Sequence, residues 1–213
     1  MSRVRRYEGD GISVSFEPRR CIHAGECVRG LPLVFDPQGR PWVKLDGADD
    51  EAVAQVVERC PTGALGYERP GQPGEPVPEH NSIQVRPRGP LYVRGDIELA
   101  LPDGGIVRGT RMVLCRCGGS SNKPFCDNSH RDRAFDDPGA LSECRLRSDG
   151  AESATLRLKV LSGGAMVLNG PVEVVGTDSE VQHGEKGSLC RCGASSAMPY
   201  CDASHRDIDF ESE

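Results

Sequence analysis

The N-terminal part of the chain shows the alternation of apolar and polar residues that predicts β-strands. One run directly follows the turn at residues 9–11 and reads as a hairpin strand. A second run follows the turn at residues 37–39 and reads as another strand. The apolar residues of the first run are Ile12, Val14 and Phe16, and those of the second run are Trp42, Val43 and Leu45.

A helical pattern follows these two strands. Asp49 or Asp50 is placed to cap a short helix, and the helix is predicted to end before Pro61. Cys60 therefore lies where this helix stops. The apolar stripe of the helix consists of Val53, Val56 and Val57.

A stretch rich in proline separates two parts of the chain. Residues 68–79 contain four prolines and two glycines, which predicts an irregular or polyproline-like linker. We therefore place a domain boundary near residues 70–80.

The part of the chain after this linker contains a duplicated pattern. Residues 115–130 read C-x-C-x8-C-x3-H, residues 190–205 read the same, and both copies continue with Arg-Asp and then a Phe. A Gly-Pro pair upstream of each copy, at 89–90 and 170–171, predicts that the duplicated unit begins with strands. The candidate ligands are Cys115, Cys117, Cys126 and His130 in the first copy and Cys190, Cys192, Cys201 and His205 in the second.

Composition narrows the class of protein. The 213 residues are 37% apolar and 5% aromatic, with 26 Gly and 16 Pro, which favours several small domains over one large core. No apolar run approaches the ~18 residues of a membrane span. A net charge of −6 without a basic block argues against nucleic acid as a partner. The N-terminus is basic but no apolar segment follows it, so we expect a cytoplasmic protein without membrane association.

The ten cysteines allow three kinds of chemistry: disulfides, zinc sites or iron–sulfur clusters. Disulfides fit poorly with a chain that is expected to be cytoplasmic. Three thiolates and an imidazole also suit zinc, but zinc ligands usually come as C-x2–4-C, and Cys-x-Cys is tighter. A two-iron cluster needs two ligands for each iron, which Cys-x-Cys and the later Cys and His can supply. The intervening Ser and Gly residues are expected to direct hydroxyl and amide groups at bridging sulfides.

The duplicated motif resembles the CDGSH iron–sulfur domain over roughly residues 82–213. The resemblance implies a [2Fe–2S] cluster with three Cys ligands and one His ligand in each copy. Asn128 and Ala203 stand where the family has a Gly. Because Ala tolerates a left-handed backbone less well than Asn, we expect the second loop to differ slightly in shape. The matching residues are Ser120, Pro124, Cys126, Asp127 and His130, and then Ser195, Pro199, Cys201, Asp202 and His205.

A third ligand set lies in the N-terminal part. The pattern C-x-H-x-G-x-C at Cys21 and Cys27, followed by Cys60 in a Cys-Pro-Thr-Gly-Ala segment, resembles a divergent single-cluster ferredoxin. Ala24 occupies the place of the middle cysteine and offers no ligand. Three thiolates suit a [3Fe–4S] cluster; the alternative is a [4Fe–4S] cluster whose fourth iron takes His23 or solvent. We expect His23 to be a hydrogen-bonding loop residue rather than a ligand.

These resemblances imply an α+β protein. A small ferredoxin-like α+β domain at 1–74 is followed by two strand-rich CDGSH-type [2Fe–2S] domains, at 82–141 and 142–213. Single-repeat members of the family are homodimers, so the two units are expected to pack as a pseudo-two-fold pair within a monomer. Cys144 lies outside every motif and is expected to be a small buried residue.

For function, the sequence favours electron transfer to and from redox partner proteins. No nucleophile–base constellation or phosphate loop is visible, so the protein is not expected to be an enzyme. One alternative is cluster storage or delivery, because an imidazole ligand can be protonated and released. Another alternative is a redox or pH sensor that docks to a partner according to the state of its clusters.

Overall fold

The computed structural model describes residues 4–150 and 153–211 and divides into two compact units. The first unit ends at Pro76 and the second begins at Val77. Between Glu68 and Ser82, a fully described stretch, the chain forms neither helix nor strand, as its proline content predicts. Among the described residues, no helix has the length and apolar character needed to cross a membrane.

The first unit is a three-stranded antiparallel sheet with two short helices. The central strand, β2, pairs with β1 on one side and with β3 on the other, so that Val14 lies opposite both Tyr7 and Tyr67. Buried side chains from β2, α2 and β3 form its core. The elements are β1 (Arg5–Glu8), β2 (Ser13–Phe16), α1 (Glu26–Gly30), α2 (Asp50–Glu58) and β3 (Leu65–Glu68).

The first predicted strand and the predicted helix are both confirmed. β2 covers most of the run at residues 12–16. α2 begins after Asp49, whose carboxylate accepts a hydrogen bond from the N–H of Ala52 at 2.9 Å. The apolar stripe of α2 is buried, with Val53, Val56 and Val57 each at most 3% exposed.

The second predicted strand, at residues 42–45, is wrong. Only an isolated bridge joins Val43 to Phe35, and Leu45 begins a 3-10 turn. Pro41 immediately precedes this segment and has no N–H with which to continue a strand ladder. The segment still packs its apolar side chains into the core, which accounts for the alternating pattern.

The second unit is one six-stranded sheet to which both repeats contribute three strands. Each repeat supplies a short first strand followed by a long antiparallel hairpin. The strands of the first repeat are β4 (Ser82–Val85), β5 (Leu91–Ala100) and β6 (Ile106–Leu114), and those of the second are β7 (Leu156–Val160), β8 (Met166–Val175) and β9 (Val181–Leu189). Their alternate side chains form a single apolar core.

The short first strand of each repeat pairs with both repeats. β4 is antiparallel to β5 of its own repeat and parallel to β8 of the other. β7 is antiparallel to β8 and parallel to β5. β5 and β8 each shift register where these partners meet, at Gly95 and Gly170. A Cβ on Gly95 would lie 2.1 Å from Oδ1 of Asn81, so the close approach requires glycine.

The expectation that strands precede each loop is confirmed, but the Gly-Pro pairs are not equivalent positions. Residues 89–90 precede β5, whereas residues 170–171 lie inside β8 at its register shift. The likeness of the two pairs is therefore a coincidence of composition.

Candidate metal centres

In the first repeat, the loop after β6 turns back onto the end of that strand. Phe125 forms an isolated bridge with Leu114, and the N–H of Cys126 donates to the carbonyl of Val113 at 2.9 Å. Cys126 therefore returns to the strand end from which Cys115 departs. The corresponding loop of the second repeat follows the same course. Leu189 forms an isolated bridge with Tyr200, and the N–H of Cys201 donates a hydrogen bond to the carbonyl of Ser188.

The donors of each loop form two close pairs. In the first repeat the sulfurs of Cys115 and Cys117 are 3.8 Å apart, and Sγ of Cys126 lies 3.6 Å from Nδ1 of His130. The corresponding distances in the second repeat are 3.6 Å for Cys190 and Cys192 and 3.4 Å for Cys201 and His205.

These separations are those of two ligands on one tetrahedral metal. Metal–thiolate bonds of about 2.3 Å and metal–imidazole bonds of about 2.0–2.1 Å place two sulfurs about 3.8 Å apart and a sulfur and a nitrogen about 3.6 Å apart. Within residues 4–150 and 153–211, no three His, Cys, Asp or Glu side chains converge as a single metal ion would need. Each donor set therefore fits two metals with two ligands each, the arrangement of a two-iron cluster.

An aspartate ties the two halves of each loop together. Oδ2 of Asp127 accepts from the N–H and the hydroxyl of Ser121, and Oδ1 accepts from the N–H and the hydroxyl of Ser129. Ser121 follows the Cys-x-Cys segment, and Ser129 directly precedes His130. In the second repeat the same four bonds join Asp202 to Ser196 and Ser204. We call this arrangement the aspartate clamp.

The clamp favours the charged carboxylate. Burial opposes the ionisation of Asp127, but the hydrogen bonds from Ser129 and Ser121 outweigh it and lower the pKa of Asp127 to about 2. The pKa of Asp202 is also lowered, with the hydroxyl of Ser204 as the largest cause. The carboxyl groups of Asp127 and Asp202 are therefore ionised at neutral pH.

The thiols of the first loop differ in how readily they lose a proton. Hydrogen bonding between the thiols of Cys115 and Cys117 lowers the pKa of Cys115 and raises the pKa of Cys117. Burial raises the pKa of Cys126 to about 11. Because metals bind thiolates, a metal bound at this site would displace the thiol protons that burial and this contact retain.

The serine hydroxyls do not point as the sequence suggested. Ser120 donates to the carbonyl of Phe125 and Ser195 donates to the carbonyl of Tyr200, each at 2.6 Å. They stabilise the loop backbone, so the expectation that hydroxyls face bridging sulfides is wrong. The loop contacts to sulfur come from backbone N–H groups, such as that of Asn128 to Cys126 at 3.3 Å.

The two loops also share one backbone conformation where a difference was expected. Asn128 and Ala203 are both left-handed, with φ values of 74° and 75°. The expectation of a different second loop is therefore wrong, because the clamp and the strand bridge impose the same turn on both sequences. Ala203 adopts this turn in spite of its Cβ.

Ala203→Gly is therefore expected to stabilise the protein. Glycine removes the steric cost of a Cβ in the left-handed conformation, which is about 1 kcal/mol, but it also increases the conformational entropy of the unfolded chain. The net gain in the free energy of unfolding should raise the melting temperature by about 2–3 °C. Thermal denaturation of the cluster-loaded protein measures this. Asn128→Gly is the matched control and should change the melting temperature less, since Asn tolerates this conformation. A lower melting temperature for Ala203→Gly would contradict the account.

Two buried arginines support the loops, and the sequence analysis gave neither of them a role. Arg116 is fully buried, and its Nε donates a hydrogen bond to the carbonyl of Gly89. Its guanidinium forms an ion pair with Asp137 and lies over the ring of Phe135, with Cζ 4.9 Å from the ring centroid. Arg191, between Cys190 and Cys192, is 3% exposed. The sequence does contain a pattern that could have indicated this role. Both copies have an Arg between the two cysteines of Cys-x-Cys and a Phe at the same distance downstream.

The N-terminal ligand set is brought to one cavity. Cys21 follows the 3-10 turn Pro18–Arg20, Cys27 lies in α1, and Cys60 follows the C-cap of α2. Their thiols line a cavity of about 740 Å³ and interact electrostatically with one another. Burial raises the pKa of Cys21 and of Cys27. His23 and Ala24 line the same cavity, and His23 is exposed.

Aromatic side chains form another part of this cavity wall. Trp42 lies edge-on to Phe16, with ring centroids 4.8 Å apart, and close to Tyr7. The indole Nε1 of Trp42 is buried and finds no hydrogen-bond partner among the described residues. A buried donor without an acceptor is uncommon in native proteins. The three cysteine thiols that line the cavity are the donors that hold iron–sulfur clusters, so the residues present fit such a cluster.

The tenth cysteine lies apart from the three sets. Cys144 is exposed, so the expectation of a buried residue is wrong. Residues 142–147 run along β9 at the edge of the sheet, where Arg147 bridges to Lys186, and this position exposes Cys144 to solvent. Its thiol lies within hydrogen-bonding reach of the Tyr200 hydroxyl.

Cys144→Ser is expected to leave every cluster in place. Serine keeps a hydrogen-bonding group near Tyr200, and Cys144 belongs to none of the donor sets. Iron content and the visible spectrum should match those of the unaltered protein. Cys201→Ser is the matched control and should lose the cluster of the second repeat. Loss of iron in Cys144→Ser would show that a ligand has been misassigned.

The three donor sets define the protein as a multi-cluster iron–sulfur protein. Residues 7–70 match the family model of a divergent 4Fe-4S mono-cluster domain. Residues 88–131 and 163–206 match the model of an iron-binding zinc finger of CDGSH type. The chain therefore belongs to the tandem CDGSH iron-binding proteins and carries an N-terminal divergent 4Fe-4S mono-cluster domain.

Two curated relatives share part of this chain. It is 41% identical over 63 residues to the uncharacterized protein YjdI of Escherichia coli strain K12 and to that of Escherichia coli O157:H7. The matched region is 30% of this chain and 83% of YjdI. No solved structure matches the chain.

Proposed function

We propose that the protein is an electron carrier without catalytic residues of its own. It would hold one cluster on Cys21, Cys27 and Cys60 and one [2Fe–2S] cluster in each CDGSH repeat. Iron–sulfur clusters supply one-electron redox chemistry. The observation that carries the proposal is the presence of three separate donor sets in one chain, two of them held in the same loop geometry.

The loops are suited to a carrier because little in them has to move. Cys115, Cys126 and Cys190 are buried, and each donor pair is fixed by strand-end hydrogen bonds and by an aspartate clamp. A rigid ligand set limits the rearrangement that accompanies a change of charge. Redox proteins of the cytoplasm would be the partners.

For the N-terminal cluster we favour [3Fe–4S], with [4Fe–4S] as the alternative. Three cysteines line the cavity, and the position of a fourth is Ala24. A [4Fe–4S] cluster would need His23 or solvent at its remaining iron. An oxidised three-iron resonance that disappears in Cys60→Ser supports [3Fe–4S]; its appearance only after exposure to air supports [4Fe–4S].

The CDGSH repeats would form a pseudo-two-fold pair within a monomer. The reciprocal pairing of β4 with β8 and of β7 with β5 supports this proposal. The two [2Fe–2S] centres would be proton-coupled. Nδ1 of each histidine faces the neighbouring cysteine sulfur, which leaves Nε2 to hold a proton.

Cluster delivery is the second candidate function. His130 and His205 are half-buried, so solvent reaches the ligand that releases its metal most readily on protonation. Repeated anaerobic reduction and reoxidation of the full chain distinguishes the two functions. An electron carrier keeps all its iron through the cycles and transfers none to an apo-ferredoxin. Loss of iron during cycling, with gain of a cluster by the apo-ferredoxin, would establish delivery instead.

A further inference from the structure

The ligand loops of the two repeats touch each other directly. Cys117 and Cys192, the second cysteines of the two Cys-x-Cys segments, form an isolated antiparallel bridge. Residues opposite each other in such a bridge have Cα atoms about 4.5–5.5 Å apart. One ligand of the first site is therefore the backbone neighbour of one ligand of the second.

Glycine is required on both sides of this contact. Gly118 and Gly193 follow the bridged cysteines and are both left-handed, with φ values of 75° and 86°. A Cβ on Gly118 would lie 2.3 Å from the carbonyl oxygen of Cys192, and a Cβ on Gly193 would lie 2.6 Å from that of Cys117. The two loops could not approach this closely with any other residue at these positions.

A buried cation, Arg191, directly precedes the bridged Cys192 in the chain. The guanidinium of Arg191 interacts electrostatically with Cys115 of the first repeat as well as with Cys190 of its own. Its Nη1 donates to the carbonyls of Leu161 and Gly164 at 2.9 and 3.1 Å. Its Nη2 is buried and finds no hydrogen-bond partner within the described residues. Arg116, by contrast, is paired with a carboxylate.

We propose that the two CDGSH sites form one coupled redox pair, with Arg191 as a cation shared by both. An electron that enters either site can move to the other, so that one site is oxidised by one electron as its neighbour is reduced by one. No further reactant is needed for this exchange. The proposal rests on the proposed function, because it requires a cluster in each repeat.

Magnetic interaction between the two sites is the first test. The full chain, with iron and sulfide measured first, is reduced with dithionite and followed by electron paramagnetic resonance. Fully reduced protein should give a split or broadened signal, and partly reduced protein should give an unsplit one. The splitting should persist in Cys60→Ser, which removes the N-terminal cluster, and vanish in Cys201→Ser. Full iron content with two independent, unsplit signals would overturn the proposal and leave the proposed function intact.

The shared cation is tested by redox titration. In Cys201→Ser, which keeps the CDGSH cluster of the first repeat and loses that of the second, the further change Arg191→Met should still lower the reduction potential of the first-repeat cluster, because loss of a nearby positive charge disfavours the added electron. Arg191→Lys should restore most of the potential. Arg157→Gln removes an exposed cation and should have little effect. An unchanged potential in the Arg191→Met chain would assign Arg191 to the second site alone and contradict the sharing.

Discussion

Asp127→Ala is expected to shorten the lifetime of the first [2Fe–2S] cluster about tenfold, and Asp202→Ala should do the same to the second. Each carboxylate accepts four hydrogen bonds that join the Cys-x-Cys segment to the turn before the histidine. Hydrogen bonds to charged groups contribute about 1.5–3 kcal/mol. Because solvent screens these partly exposed groups, we expect the substitution to lower the activation free energy of cluster loss by about 1.4 kcal/mol. This change makes cluster loss about tenfold faster.

The decay of visible absorption after addition of a chelator measures this effect. Asp127→Asn retains one accepting oxygen and should give an intermediate lifetime. Asp136→Ala removes an exposed carboxylate of the same unit, whose ion pair with Arg88 lies outside the loop, and should leave the lifetime unchanged. Equal lifetimes for Asp127→Ala and Asp136→Ala would show that the clamp does not retain the cluster.

The aspartate clamp of the first repeat is expected to stay intact in mild acid. The pKa of Asp127 is lowered to about 2 from the ordinary 3.8. Its stabilising contribution is therefore complete above about pH 4 and is lost only as the pH falls through about 2. Any loss of a cluster near pH 6 would need another cause, and His130 and His205 are the candidates because an imidazole titrates in this range.

His130→Cys and His205→Cys are accordingly expected to slow acid bleaching, each at its own cluster. One proton and the metal compete for the same imidazole nitrogen. The bleaching rate of the wild-type protein should therefore rise about tenfold for each pH unit below neutrality. Burial lowers the pKa of the His130 imidazole, which shifts this onset to lower pH. A thiolate in place of imidazole also makes the cluster more negative, so the reduction potential should fall.

Bleaching rates between pH 5 and 7 and potentials at several pH values check this expectation. The potential of the unaltered protein should fall as the pH rises, because Nε2 takes up a proton on reduction. The variant with both substitutions should lose most of that dependence. His183→Cys changes an exposed histidine on β9 and serves as the control. Unchanged bleaching in the double variant would remove His130 and His205 from the ligand sets.

Much of the site was predictable from the sequence because its chemistry is local. Cysteines and histidines at fixed spacing lie within one loop, and the duplication identifies the ones that matter. The same holds for α2, whose cap and apolar stripe are neighbours in the sequence. Local patterns failed at residues 42–45, where burial of alternate side chains does not require a strand.

The remaining features depend on contacts between distant parts of the chain. The pairing of β4 with β8 and the bridge between Cys117 and Cys192 join residues whose separation along the chain leaves no periodic signal. The exposure of Cys144 depends on its segment lying along β9. The surrounding loop imposes the left-handed backbone conformation at Ala203, although alanine on its own disfavours that conformation.

The most direct test of the account is the metal and sulfide content of anaerobically purified protein, measured together with electron paramagnetic resonance. Two [2Fe–2S] clusters and one [3Fe–4S] cluster predict about 7 irons and about 8 sulfides per chain, whereas a [4Fe–4S] N-terminal cluster predicts about 8 of each. Stoichiometric zinc with little sulfide would contradict the account.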